Sequence, residues 1–323
     1  MKTFFFKEMK IKISNIIKPK LKFIFFIIFV LIIQVYKKIN ILEEFPQNTK
    51  DIKDIKVCLC MLGKKENPYA KETVQYYKNI GYNHIYIYDN NDIGDEKLED
   101  VLYNEINNNF VTIIDVRGLR KQQCSSYKHC YEKYNKYYDW LSFFDFDEFL
   151  YIKNNKTIQE FLSDEKYKKC ANVKINWLSY TDNDLIYYEN KSVLERFKSY
   201  RTDLGINVHT KSTVRGGLRR NYWTSYHNSH SSEVKFTSCN TFGEIVPYNL
   251  VYIKPNYDFA YLKHFSTKTI EEFCLKLKRG YPEYDVVNNK KLLNRRLNDF
   301  FSVNKKTKEK IDFIKNFFKI DFE

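Results

Sequence analysis

From residue 56 onward, short apolar runs alternate with amphipathic stretches, and the two periods change places repeatedly. Lys56–Leu62 reads as a strand. Tyr69–Ile80 carries Ala70, Val74 and Tyr77 at helical spacing and runs into Gly81, a residue suited to the left-handed stop after a helix. His84–Tyr88 predicts a second strand ending in the polar Asp89-Asn90-Asn91, after which Asp95 suits the N-cap of a helix carrying Leu98, Val101 and Leu102. Phe110–Val116 predicts a strand, Gln122–Tyr134 a helix, and Trp140–Phe144 a strand that runs straight into Asp145-Phe146-Asp147-Glu148. Thr157-Ile158-Gln159-Glu160 and Thr269-Ile270-Glu271-Glu272 have the form of capping boxes that open helices. Val173–Trp177 alternates like a strand, residues 200–250 read as loop-rich, and 288–318 as helical with one basic side. This order predicts an α/β fold with a mostly parallel central sheet and helices on both faces. Such sheets bind ligands at the carboxyl ends of their strands, where the Asp145 motif and the Asp89 cluster both fall.

The segment before residue 56 has a different pattern. Phe23–Ile33 is unbroken apolar sequence, preceded by Lys2, Lys7, Lys10, Lys12, Lys18, Lys20 and Lys22. A bilayer-spanning helix takes about 20 apolar residues, and flanking lysines can extend a shorter run. The lysine excess predicts a cytoplasmic N-terminus. The expected organisation is a basic tail over 1–20, a membrane-spanning anchor over 21–38, a stem over 39–54 and a catalytic domain over 55–323 in the lumenal or extracytoplasmic space. Of the formal net charge of +14, +7 lies in residues 1–50, with ten lysines against three glutamates. Beyond them the basic residues cluster only at Arg215, Arg219 and Arg220 and near the C-terminus, so no nucleic-acid partner is expected. With 43% hydrophobic and 17% aromatic residues the chain is not a disordered one. Seven cysteines lack any C-x-x-C pair, which argues against a structural zinc site. Cys58 and Cys60 share one strand face and read as buried thiols; in an oxidising compartment one or two disulfides are expected, without an assignable pairing. The same compartment would make acceptors of Asn155-Lys156-Thr157 and Asn190-Lys191-Ser192.

The candidate chemistry lies at Asp145 and Asp147. Acids at i and i+2 on a strand end project to one side. Hard oxygen ligands suit Mn²⁺ or Mg²⁺, and such an ion neutralises charge that develops on a departing diphosphate. Burying acids behind the apolar Leu141–Phe144 is costly without a cation. Asp182-Asn183-Asp184 is a second copy of the spacing. Phosphatases of the haloacid-dehalogenase kind also use D-x-D, but on their first strand, whereas this motif follows the fourth. A membrane-tethered protein that only recognises glycans would have no need to keep both acids.

Five blocks carry a more specific signal: Glu66-Asn67-Pro68-Tyr69 with Glu72, Gly81 and Ile85–Asn90; Gln122 and Tyr127 leading to Asp139–Phe149; Asn176-Trp177-Leu178 with Glu195-Arg196-Phe197; Lys211-Ser212 followed by His227; and Tyr261–Phe265 with Lys268, Glu271-Glu272-Phe273 and Lys278-Arg279-Gly280. In this order, over residues 56–285, the chain resembles glycosyltransferase family 92 and the related family-2-like enzymes of GT-A fold. It departs from the pattern at Gly63-Lys64-Lys65 and at Thr73-Val74, where the family shows a tryptophan. The resemblance implies a metal-dependent, inverting transfer of a sugar from a nucleotide-sugar, by family analogy UDP-galactose, to a hydroxyl of a glycan or glycoconjugate. It implies Asp145 and Asp147 as metal ligands with His264 or His227 as a third. It also implies a nucleotide pocket at Glu66, Asn67, Asp89, Asn90, Arg117 and Gln122. An inverting transfer needs a general base, for which Asp182, Asp184 and Glu148 are the candidates.

Overall fold

The computed structural model describes residues 51–218, 222–225, 228–230, 237–247, 252–280, 286–320 and 322, with residues 28 and 30–32. The chain divides into two compact units, Met1–Asn48 and Thr49–Glu323. Of the first unit only Ile28 and Val30, Leu31 and Ile32 are described, and they are helical. The rest of the expected anchor lies outside the described residues, and no helix among them is long and apolar enough to cross a membrane.

The second unit is mixed α/β. Its strands are β1 (Val57–Gly63), β2 (His84–Asp89), β3 (Val111–Asp115), β4 (Trp140–Phe143), β5 (Glu148–Ile152), β6 (Asn172–Tyr180), β7 (Tyr200–Arg201), β8 (Thr210–Arg215), β9 (Tyr222–Ser225), β10 (Asn228–His230), β11 (Ser238–Cys239), β12 (Ile245–Val246) and β13 (Ala260–His264). All but the β9–β10 hairpin join one sheet with the path β12-β11-β6-β8-β4-β1-β2-β3, to which β13 adds beside β6, β5 beside β13, and β7 beside β6. The longer helices are α1 (Asn67–Asn79), α2 (Gln122–Tyr134), α3 (Ile270–Arg279), α4 (Lys290–Val303) and α5 (Lys308–Phe318).

The sheet is mixed rather than mostly parallel. The strands β4, β1, β2 and β3 run parallel, as the strand–helix alternation predicts. The difference begins at β8, which inserts antiparallel between β4 and β6, and continues at β5, β7 and β12, each paired antiparallel. Its sequence, Thr210 to Arg215, is polar at five of six positions, yet every residue is buried. A strand without apolar alternation leaves no period to read, which is why 200–250 resembles a loop.

Elsewhere local chemistry carries through. Helix α1 opens with Pro68 in its first turn, where the missing N–H is harmless. It buries Ala70, Thr73, Val74 and Tyr77 on one face, and its chain turns out at Gly81 with φ +98°. Both threonine capping boxes form, at Thr157–Glu160 and Thr269–Glu272. Asp95 does not cap the helix at Leu98–Val101; the Asp89 carboxylate takes the Leu98 N–H instead, at 2.9 Å. The first core layer lies between the sheet and α1, around Leu59, Val74, Ile87 and Phe144. The second lies under α2, around Tyr127, Tyr131, Leu141 and Phe143. Helices α3, α4 and α5 close on a core of their own.

Two disulfides staple these layers. Cys60–Cys130 joins β1 to α2, and Cys170–Cys239 joins the approach to β6 to β11. Cys60 is therefore bonded rather than a buried thiol, whereas Cys58 is a free one. Arg215 is not surface charge: it is buried, its guanidinium lies 4.3 Å from the Trp140 ring centroid, and it donates to the Cys170 and Tyr167 carbonyls.

Candidate active site

The Asp145-Phe146-Asp147 turn begins where β4 ends and leads directly into β5. Its central ring is the anchor. Phe146 is buried against the end of β1, where a Cβ on Gly63 would come within 2.9 Å of the ring. The glycine thus lets the ring in, and the two flanking carboxylates are displayed beside it.

Each carboxylate is held by its own set of groups. Asp145 Oδ1 accepts from Tyr127 Oη and from Gln123 Nε2, both at 2.8 Å, and Oδ2 accepts from Lys211 Nζ at 2.6 Å. Gln123 and Tyr127 are one turn apart on α2, so one helical face supplies both. Asp147 Oδ2 accepts from Lys276 Nζ on α3 at 2.7 Å, and His264 Nε2 lies 3.8 Å from Oδ1. Glu148 is fully buried; its Oε2 accepts the Asp145 N–H, and its Oε1 lies 3.4 Å from Lys211 Nζ. His264 stands opposite Glu148 in the β5–β13 ladder.

The electrostatics follow from burial and these partners. Burial opposes ionisation of both aspartates, but Lys211 on Asp145 and Lys276 on Asp147 outweigh it and hold the carboxyls below their ordinary range. Burial pushes the Glu148 carboxyl up. It pushes the His264 imidazole down to about 4, so the ring is neutral at physiological pH.

These residues fit a divalent cation. Asp147, Glu148 and His264 each offer a ligand atom, and the three atoms lie within 4.8 Å of one another. Glu148 Oε1 and His264 Nδ1 are buried without a hydrogen-bond partner among the described residues. Carboxylate with neutral imidazole is a donor set suited to Mn²⁺ and its neighbours. Asp145, by contrast, is tied to three donors from the chain itself.

Beside the motif a pocket of about 110 Å³ is lined by Lys64, Glu66, Gln123, Asp145, Asp147 and Arg279, among others. A second cavity of about 490 Å³, between the Lys65–Tyr69 segment and α3, shares Glu66, Lys276 and Arg279 with it.

The other expected site residues divide. Glu66 joins the site, bound by Arg279 Nη2 at 2.6 Å. Asn67 instead braces the neighbouring turn, bonding Asn91 and the Glu96 and Lys97 carbonyls. Asp89 is buried, with its oxygens taken by the Asn91 and Leu98 amides, and Asn90 donates to the Val116 and Leu119 carbonyls. Arg117 pairs with Asp115, and Gln122 bonds the Arg120 carbonyl. Asp182 and Asp184 pair with Lys310 of α5, at 2.6 and 3.3 Å. His227 lies outside the described residues. Gln123, Lys64 and Lys276 escape the sequence reading. Lys276 is a lysine in a helix turn that also holds Lys278 and Arg279, and its partner Asp147 is 129 residues distant.

Comparison with known proteins agrees with this picture. A glycosyltransferase family 92 protein of Oryza sativa subsp. japonica is 28% identical over 112 residues, which cover 35% of this chain and 19% of the relative. One of Ricinus communis is 25% identical over 122 residues, covering 38% and 22%. The matched segments thus span about a fifth of these curated relatives' own length. Among solved structures, residues 1–349 of S. aureus TarS align over 77% of this chain and 72% of that one, at 11% identity and a TM-score of 0.36, too loosely to carry an argument. The family model described as glycosyltransferase family 92 matches residues 53–295. The chain belongs to glycosyltransferase family 92.

Proposed function

We propose that the chain is a metal-dependent glycosyltransferase that moves a sugar from a nucleotide-sugar to a glycan or other acceptor hydroxyl. One observation carries the reading: in a chain of this family, a buried group of Asp147, Glu148 and His264 stands beside Asp145 at the strand end, and Glu148 Oε1 and His264 Nδ1 carry no hydrogen bond among the described residues.

Asp147, Glu148 and His264 would hold the ion, with Asp145 beside them. When bound, it would neutralise charge on the departing nucleoside diphosphate. The remaining roles belong to the chain. Lys211, Tyr127 and Gln123 fix Asp145, so its orientation needs no reorganisation at the moment of transfer. Arg279 and Lys276 supply positive charge where a diphosphate would lie, and burial keeps His264 neutral and able to coordinate. Assigning Glu148 to the ion removes it from the candidates for general base. Asp182 and Asp184 are engaged with Lys310, which speaks against them in the structure as it stands.

The test is release of nucleoside diphosphate from a panel of nucleotide-sugars with and without Mn²⁺. Asp147→Asn keeps the side-chain volume and should abolish Mn²⁺-dependent release, a loss of several kcal/mol of transition-state stabilisation if the ion carries its usual weight. Full Mn²⁺-dependent turnover by this variant would remove the acidic motif from the mechanism.

A further inference from the structure

The cavity of about 490 Å³ beside the motif is lined by five cationic side chains, Lys65, Lys268, Lys276, Lys278 and Arg279, against two acids, Glu66 and Glu272. Glu272 is already neutralised by a bidentate Arg196, and Lys65 by Asp92 and Asp95, which leaves four cations facing Glu66. Glu66 and Thr267, both more than nine-tenths buried, line the same cavity, and each carries a buried oxygen with no hydrogen-bond partner among the described residues, the Glu66 oxygen lying 3.7 Å from Lys268 Nζ. A polar, net-positive cavity with such oxygens in its wall suits an anionic ligand that also carries hydroxyl or N–H groups.

Lys276 belongs to both compartments. It lines the cavity, yet its ammonium binds Asp147 Oδ2 at 2.7 Å and the Ser266 carbonyl at 3.1 Å. A cation at Asp147 and the Lys276 ammonium are like charges competing for one carboxylate, and at this distance they cannot both be favoured. The lysine stem is flexible and its charge is a point, so a short swing places it on a phosphoryl oxygen instead. Arg279, one turn further along α3, holds Glu66 and faces the same choice.

Building on the transferase reading, we propose that Lys276 is an exchanging counter-ion: it neutralises Asp147 before the metal binds, and moves to the diphosphate of the donor, seated in this cavity, when the metal takes its place. Metal and diphosphate then bind cooperatively through one side chain.

The experiment titrates the full chain with Mn²⁺ alone, read by the paramagnetic resonance of free ion, and separately with inorganic pyrophosphate in chelator. Lys276→Met should bind Mn²⁺ about tenfold more tightly than the parent and pyrophosphate about tenfold less tightly, the weight of one close unit charge. Lys276→Arg should restore parental behaviour in both. Leu275→Trp, a half-exposed wall position, should weaken pyrophosphate and leave Mn²⁺ alone unchanged. A nucleoside diphosphate should displace pyrophosphate. The proposal is overturned if Lys276→Met binds Mn²⁺ no more tightly than the parent, if Leu275→Trp keeps full pyrophosphate affinity, or if the nucleoside diphosphate does not compete. Should the parent hydrolyse no nucleotide-sugar while the exchange is measured, the transferase reading falls and the exchange stands. Active transfer with unaltered metal affinity in Lys276→Met has the opposite meaning.

Discussion

At the scale of single residues, two buried lysines in neighbouring strands have opposite fates. Lys211 on β8 is fully buried between two carboxylates, which outweigh the cost of burial and keep it charged. Lys174 on β6 is equally inaccessible, and there burial wins, pushing its ammonium down to about 7. The unfolded chain holds that proton up to about pH 10.4, so between pH 7 and that value the unfolded state binds more protons than the native one. This destabilising contribution is fully present below pH 7 and is relieved as pH rises through the window. Chemical denaturation at a series of pH values should show Lys174→Met more stable than the parent at pH 7 by up to a few kcal/mol, with the gap closing toward pH 10. A gap independent of pH would mean that Lys174 keeps its charge in the native state.

At the scale of elements, the site is assembled from the turn after β4, one face of α2, helix α3 and the strands β8 and β13. Helix α2 presents Gln123 and Tyr127 to Asp145, and the same face carries Cys130, bonded to β1. The end of β2 works differently. Asp89 takes the amides that start the Leu98–Val101 helix and the Asn91 turn, so the polar cluster closes on itself. Asp89→Ala leaves two buried donors unpaired and should lower stability by about 2–6 kcal/mol, at roughly 1–3 kcal/mol per orphaned group. A variant with the parental melting temperature would return Asp89 to the ligand-binding role that the resemblance implies. Much of this scale is legible in the sequence. Helix α2 falls where its pattern ends, and both threonine capping boxes form because their hydrogen bonds are local. The strand β8 is not legible, since five of its six buried residues are hydroxyls, a lysine and an arginine, with Val214 the one aliphatic. The motif's position at a strand end can be read from the apolar run before it. Its partners Lys211 and Lys276 are brought in by strand and helix pairings between distant segments, which no local pattern encodes.

At the scale of the whole molecule, we propose, from the two disulfides and the two exposed sequon asparagines, Asn155 and Asn190, that the second unit resides in an oxidising, extracytoplasmic compartment. The bonds enclose separate stretches of chain, Cys60 to Cys130 and Cys170 to Cys239. Thiol mass-tagging of the protein taken from its native cell and denatured without reductant should count three reactive cysteines, Cys58, Cys124 and Cys274. A count of seven would place the protein in a reducing compartment.

The pairing of β5 with β13 has a consequence for the order in which the protein is made. Leu150 stands opposite Leu262, so the strand that completes the site leaves the ribosome 112 residues after the one it pairs with. The other edge of β5 is already served by Tyr77 and Tyr76, whose hydroxyls donate to the Glu148 and Leu150 carbonyls. A nascent chain can therefore seat one side of β5 and must wait with the other open, an apolar edge available to any extended neighbour. Non-local pairing of this kind is slow to form. Lesions in Ala260–His264 should thus show themselves as loss of yield during synthesis, before any effect on turnover can be measured.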